Sequence, residues 1–94
     1  MESLSDNQIR NYISDLKGWN FGKDKISKKF EFRDFKDALA FIVKVGIEAE
    51  KSNHHPEIKN IYNQVTIDLQ THDVGNKVSI KDIDLARNIE KIVS

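Results

Sequence analysis

From Asp34 to about Ser52 the apolar residues recur at helical spacing in two stripes. Phe35, Leu39, Ile42, Gly46 and Ala49 make one stripe; Ala38, Phe41 and Val45 make the other. A helix that covers a sheet needs only one apolar stripe. The second needs a partner, and 94 residues leave room for one core and no second domain. Another subunit is the expected partner, so the chain should form a homo-oligomer. Asp34 is a good N-cap for this helix, and Pro56 disfavours helical geometry at His55, so the helix should end near there.

The remaining elements arrange themselves around that helix. Ser5 and Gln8 read as a capping box, with Ile9, Tyr12, Ile13 and Leu16 forming one stripe that Gly18 brings to an end. Trp19 to Phe21 is short and aromatic, and Gly22 to Lys25 supplies turn residues. Ile26, Phe30 and Phe32 share one face of a strand, interrupted by Lys28. Ile58 to Thr71 is rich in Ile, Val, Thr and Tyr, and reads as one long strand or as two turning at Asn63-Gln64. After a turn at residues 73–77, Ser79 and Asp82 form another capping box, with Ile83, Ala86, Ile89 and Val93 on the inward face of the last helix. Helix, two strands, helix, one or two strands, helix is an α+β order, with helices packed on one face of an antiparallel sheet.

Charge and composition exclude several functions. Fifteen basic residues balance fifteen acidic ones without a basic stripe, which argues against direct nucleic-acid binding. No cysteine is present, so thiolate and disulfide chemistry are absent. The longest nearly apolar run, Ala38 to Ile47, contains Lys44 and is too short to span a bilayer. The first residues lack the basic and apolar regions of a secretory signal, so the default expectation is a cytoplasmic protein.

The residues able to carry chemistry are His54, His55 and His72, each beside a predicted element end. Glu50 precedes His54 by four residues, a spacing that places a carboxylate and an imidazole on one helical face. There the carboxylate can fix the imidazole tautomer. A lone histidine at a helix end is more often a cap or surface residue, and a capping box by itself explains Asp82. The adjacent His54-His55 pair weakens the first of these plain readings. A zinc site is disfavoured: the side chains of adjacent histidines diverge, and no HExxH or helical His-x3-His is present. No metal and no organic cofactor is expected. A serine hydrolase lacks its Gly-x-Ser-x-Gly elbow.

The joint spacing is far more specific than any single residue. Glu50 is followed after three residues by His54-His55-Pro56, after five more by Tyr62, after nine by His72 and after nine by Asp82. This pattern resembles the signature of the pterin-4a-carbinolamine dehydratases, also called dimerisation cofactors of a homeodomain transcription factor. Gly18-Trp19, the run from Phe30 to Phe35, Ala49-Glu50-Lys51, Tyr62-Asn63 and Ile83-Asp84-Leu85-Ala86 resemble the family as well, so the likeness runs from about Leu4 to Val93. It implies a single domain over residues 1–94 in α-β-β-α-β-β-α order, a four-stranded antiparallel sheet with three helices on one face. The segment from Ile58 to Thr71 is then two strands.

The resemblance also implies an activity: loss of water from a 4a-hydroxytetrahydropterin to give a quinonoid dihydropterin, a step of tetrahydrobiopterin recycling. His54, His55 and His72 would be the catalytic group, with Glu50 orienting His54 and Asp82 supporting His72 or the pterin pocket. Asn53, Gln70, Thr71 and Asp73 would border the substrate. The family assembles as dimers or tetramers through sheet edges and the central helix, so the resemblance implies a homodimer or homotetramer, in keeping with the two-stripe helix. Two positions depart from the pattern. Ile58 stands where many relatives carry tryptophan, making a hydrophobic pocket wall smaller, and Asn53 stands where aspartate is common. The alternative function, by analogy with animal relatives, is a non-catalytic oligomeric module that acts as a transcriptional coactivator or dimerisation cofactor. Retention of all three histidines with Glu50 and Asp82 favours the enzyme.

Overall fold

The computed structural model describes residues 2–94. Its elements run α1 (Asp6–Ile13), β1 (Asn20–Gly22), β2 (Lys25–Glu31), α2 (Phe35–Ser52), β3 (Glu57–Ile61), β4 (Gln64–Leu69), a 3-10 turn (His72–Val74) and α3 (Ile80–Val93). The strands form one antiparallel sheet in the order β1-β2-β4-β3. The α-β-β-α-β-β-α order expected from the sequence is the order found.

Strand alternation sets the two faces of the sheet. Along β4, Val65, Ile67 and Leu69 are buried and their neighbours are half-exposed. They pair in register with Phe30, Lys28 and Ile26 of β2, so a single apolar face meets the helices. Ile9 of α1, Ala38, Phe41, Val45 and Ala49 of α2, and Ile83, Leu85, Ala86 and Ile89 of α3 complete that core. Lys28 interrupts the row without harm. Its ammonium reaches past the apolar side chains to the Glu90 carboxylate and the Lys17 carbonyl, each at 2.9 Å. Glu90 also accepts the indole N–H of buried Trp19 at 2.9 Å.

Both capping boxes form as the sequence implies. Asp34 accepts the N–H of Asp37 at 2.8 Å to open α2. Two boundaries differ from expectation. Helix α1 stops at Ile13, and Leu16 reaches the core from the turn that follows. Gly18 completes that turn at φ 87°, where a Cβ would lie 2.8 Å from the Lys28 side chain. The β3–β4 hairpin turns at Tyr62-Asn63, one residue earlier than Asn63-Gln64, because Tyr62 takes the left-handed backbone (φ 50°) and Gln64 already pairs with Ile61 and Glu31. Tyr62 is therefore an exposed turn residue at the far end of the hairpin from the histidines.

The two stripes of α2 separate differently from their sequence grouping. Ala49 joins Ala38, Phe41 and Val45 in the core, while Phe35, Leu39, Val43 and Ile47 form an exposed row. Among the described residues no helix is long and apolar enough to cross a membrane.

Candidate active site

The site begins where α2 ends. Asn53 turns left-handed (φ 50°, ψ 43°), its N–H donating to the carbonyls of Ala49 and Glu50. The N–H of His54 donates to Ala49 at 3.1 Å. These are the paired bonds of a Schellman ending. The turn separates the two histidines: His54 is buried, whereas the His55 side chain stays 60% exposed.

The inward histidine meets an acid. His54 Nε2 lies 2.5 Å from Asp82 Oδ1, and Asp82 is wholly buried at the third position of α3. Asp82 Oδ2 accepts the Ser79 N–H at 3.0 Å and the Thr71 hydroxyl at 2.8 Å. With Thr71 donating its one proton to Asp82, the Ser79 hydroxyl donates to Thr71 Oγ1 at 2.5 Å. Among the described residues no buried side-chain polar atom lacks a partner. The capping acid thus also anchors a histidine, and a buried network of this kind holds its members in one geometry when fully satisfied.

The outward histidine takes the other carboxylate. Glu50 Oε1 accepts from His55 Nε2 at 2.7 Å. Glu50 was expected on His54 and Asp82 beside His72 or the pocket; the structure instead pairs Glu50 with His55 and Asp82 with His54. The reason is the left-handed Asn53, which ends the i,i+4 relationship one residue before His54.

The third histidine comes from the loop after β4. Thr71 pairs with Lys77 across an isolated bridge, and Gly75 and Asn76 are both left-handed (φ 78° and 61°). This tight loop returns Asn76 to His72, whose Nδ1–H donates to Asn76 Oδ1 at 2.9 Å. Carboxylates and an amide oxygen can only accept, so each of the three imidazoles has one nitrogen held as a donor and the other left open. An imidazole so held has a defined tautomer and a free nitrogen for proton transfer.

All three rings line one open cleft of about 240 Å³, together with Asn53, Gln70, Thr71, Asp73 and Lys81. Glu50 and Asp82 stand behind the rings rather than in the cleft. Ile58, expected as a pocket wall, lies on the inner face of the sheet opposite Ile67 and packs against the core. His54 and His55 face different acids, and among the described residues no three potential ligands come together as a metal cage.

Sequence reasoning missed Lys81 and Asn76. Lys81 reads as an ordinary first-turn helix residue, and Asn76 as a turn former; only the tertiary fold brings them to the histidines.

A model of the family described as pterin 4 alpha carbinolamine dehydratase matches residues 2–92. A protein of Opitutus terrae, provisionally named a pterin-4-alpha-carbinolamine dehydratase, is 45% identical over 89 residues, covering 95% of this chain and 92% of its own. One from Sulfurisphaera tokodaii with the same provisional name is 37% identical over the full length of both. The crystal structure of a transcriptional coactivator/pterin dehydratase from Brucella melitensis superposes with a TM-score of 0.92 at 34% identity, covering 98% of this chain and 99% of that one.

Proposed function

The chain belongs to the pterin-4-alpha-carbinolamine dehydratase family, and from that premise we propose that it dehydrates a 4a-hydroxytetrahydropterin to the quinonoid dihydropterin by histidine acid–base catalysis. The observation that carries the proposal is the convergence of three imidazoles on one cleft, each held through one nitrogen by a separate acceptor.

The reaction asks for two proton transfers. The hydroxyl on carbon 4a leaves as water after receiving a proton, and a base takes the proton of the neighbouring ring N–H. The C–O bond breaks as the C=N bond forms, so water is the only by-product. An imidazole with an ordinary pKa near 6.5 serves either role near neutral pH. We assign the acid to His72, which stands on the rim of the cleft where solvent can reprotonate it, and the base to the anchored pair His54 and His55. Glu50 holds His55, and Asp82 holds His54. Asn53, Gln70, Thr71 and Asp73 border the substrate; Thr71 does so from its buried place on Asp82. None of these steps calls for a metal or an organic cofactor.

Within the same proposal the protein is a cytoplasmic homodimer or homotetramer that returns spent cofactor to tetrahydrobiopterin recycling. The exposed row Phe35, Leu39, Val43 and Ile47 supports the assembly. A second reading, an oligomeric coactivator module, draws on that same row and on the words "transcriptional coactivator" attached to the Brucella neighbour. The two roles are compatible, and the histidine cleft favours the enzyme.

The test is the dehydration rate of chemically generated 4a-hydroxytetrahydropterin, followed by ultraviolet absorbance. The wild type should accelerate it, and His72→Ala should lose about 10²–10⁴-fold, the usual worth of a positioned acid or base. A folded wild type without acceleration overturns the enzymatic reading.

A further inference from the structure

His72 has the least support of the three histidines. His54 is buried on Asp82, and His55 follows directly on the end of an 18-residue helix. His72 is exposed on a loop, and Asn76 makes its one side-chain hydrogen bond among the described residues. A group carried by a loop is placed less precisely than one on a helix or strand. Asn76 is itself exposed, so the place of the ring depends on what holds Asn76.

The Asn76 backbone is tied at both of its polar groups. Its N–H donates to the Thr71 carbonyl at 3.1 Å, across the root of the loop. Its carbonyl accepts from Gln70 Nε2, also at 3.1 Å. The same amide nitrogen donates at 3.4 Å to the carbonyl of Asp24, in the turn between β1 and β2. Both partners are carbonyl oxygens, which only accept, so the nitrogen of the Gln70 amide must face the loop and both its protons are engaged there. The bond to Asn76 has an ordinary length and the one to Asp24 is long, so the tie to Asn76 dominates. Lys77 and Asp24 link the same two segments again, as an exposed pair at 3.7 Å that contributes little alone.

Gln70 has firm ground behind it. It follows the last residue of β4 and precedes Thr71, whose hydroxyl is tied to Asp82. A single chain of contacts thus runs from the sheet through Gln70 and Asn76 to the His72 ring.

We propose that Gln70 is a positioning residue for His72, fixing Asn76 from the sheet side and, through Asn76, the place and Nδ1–H tautomer of the ring. The partner of one ring nitrogen sets which nitrogen carries the proton, and a free neutral imidazole favours the proton on Nε2. With Nδ1–H held, the proton that the charged ring gives up is the one on Nε2. The kinetic consequence rests on the dehydratase reading, whereas the effect on the ring does not.

Nitrogen NMR of protein labelled in its histidine rings, recorded above the pH at which they are charged, reads the tautomer without turnover. His72→Ala identifies the signals. The wild type should carry the His72 proton on Nδ1. Gln70→Met keeps the length of the side chain and removes the donor. Because Gln70 is half-exposed at a strand end, this variant should stay folded while its His72 signals move toward the Nε2–H form. Gln70→Lys, which can donate to the same carbonyls, should move them back. In the dehydration assay Gln70→Met and Asn76→Ala should each lower kcat about tenfold, part of the worth of a positioned acid or base. Their combination should also lose about tenfold rather than a hundredfold, since both break one chain of contacts. A wild-type ring protonated on Nε2, a tautomer unmoved in Gln70→Met, or a lysine variant no better than the methionine one overturns the proposal. A tautomer that moves without loss of kcat overturns it too, as do losses that multiply, which would place Gln70 on the substrate itself. If the wild type dehydrates nothing, the reading of the reaction falls, and the ring signals still decide whether Gln70 holds His72.

Discussion

His54 Nε2 and Asp82 Oδ1 are 2.5 Å apart although 28 positions separate them in the chain. The link ties the end of α2 to the start of α3, so one carboxylate both caps a helix and fixes a ring in the cleft. An acid with three buried partners and no exposure is costly to remove, because its partners lose their acceptor in a place water does not reach.

Asp82→Ala should therefore destabilise the fold by about 3 kcal/mol or more. For a domain of this size that lowers Tm by at least roughly 12 °C. Asp82→Asn keeps the shape and one acceptor oxygen, so its melting temperature should fall less while its dehydration rate falls steeply. Thermal melts beside initial rates separate the two effects. An alanine variant that melts with the wild type would refute the network as described.

Much of this architecture is legible in the sequence, and the parts that are not share a cause. Capping boxes announce themselves because Ser5 with Gln8, and Ser79 with Asp82, act within a single turn. The strand faces of β2 and β4 follow from alternation. Pairing of acids with histidines does not, because it depends on one backbone angle at Asn53 that turns the chain away from helical spacing. Glu50 and His54 look like partners only if the helix continues through them. Asn76 meets His72 through the return of the 72–76 loop, and Lys81 reaches the cleft from the first turn of α3; no local pattern encodes either meeting. Lys28 in an apolar row looks like an error until Glu90, 62 positions away, is seen to receive it.

Asn76→Asp should reveal which proton transfer His72 performs. A carboxylate in place of the amide favours the charged imidazole, by on the order of one pH unit or less at an exposed position. If His72 is the acid, it keeps its proton to higher pH, and the alkaline fall of kcat/KM moves upward. If instead the acidic limb moves upward, His72 is the base and the assignment made above reverses. A profile unmoved on both sides would mean the Asn76 contact has no bearing on the reaction.

The Lys25–Asp68 pair gives stability a definite pH window. The hydrogen bond to Asp68, and then its charge, hold Lys25 above its ordinary 10.5. Burial pushes Asp68 up, yet hydrogen bonds from Ser27 and Lys25 and the lysine charge outweigh it, leaving Asp68 below its ordinary 3.8. A depressed acid stabilises above its unfolded value and loses that contribution as pH falls through the folded one; a raised lysine stabilises below its unfolded value and loses it on the alkaline side. The stability difference between wild type and Asp68→Asn should thus be level between about pH 5 and pH 10 and shrink on both flanks. Denaturant midpoints across that range measure it. A difference that grows toward acid would contradict the ion pair.

The exposed row on α2 makes the last prediction. Phe35, Leu39, Val43 and Ile47 are 45%, 43%, 63% and 52% exposed, each four residues after the one before. Three such steps of sequence keep them on one side of the helix over about 18 Å, an apolar surface that a monomer would leave to water. The core is already served by Ala38, Phe41, Val45 and Ala49 on another side of the same helix, so folding alone does not call for the row. If it is the assembly surface, the wild type should sediment at two or four times its 10.9 kDa chain mass, and Val43→Asp combined with Ile47→Asp should dissociate it. The circular dichroism spectrum of the double variant should stay native, because neither side chain touches the core. A wild type that sediments as a single chain at tens of micromolar would remove assembly from the reading, leaving the cleft to function within one subunit.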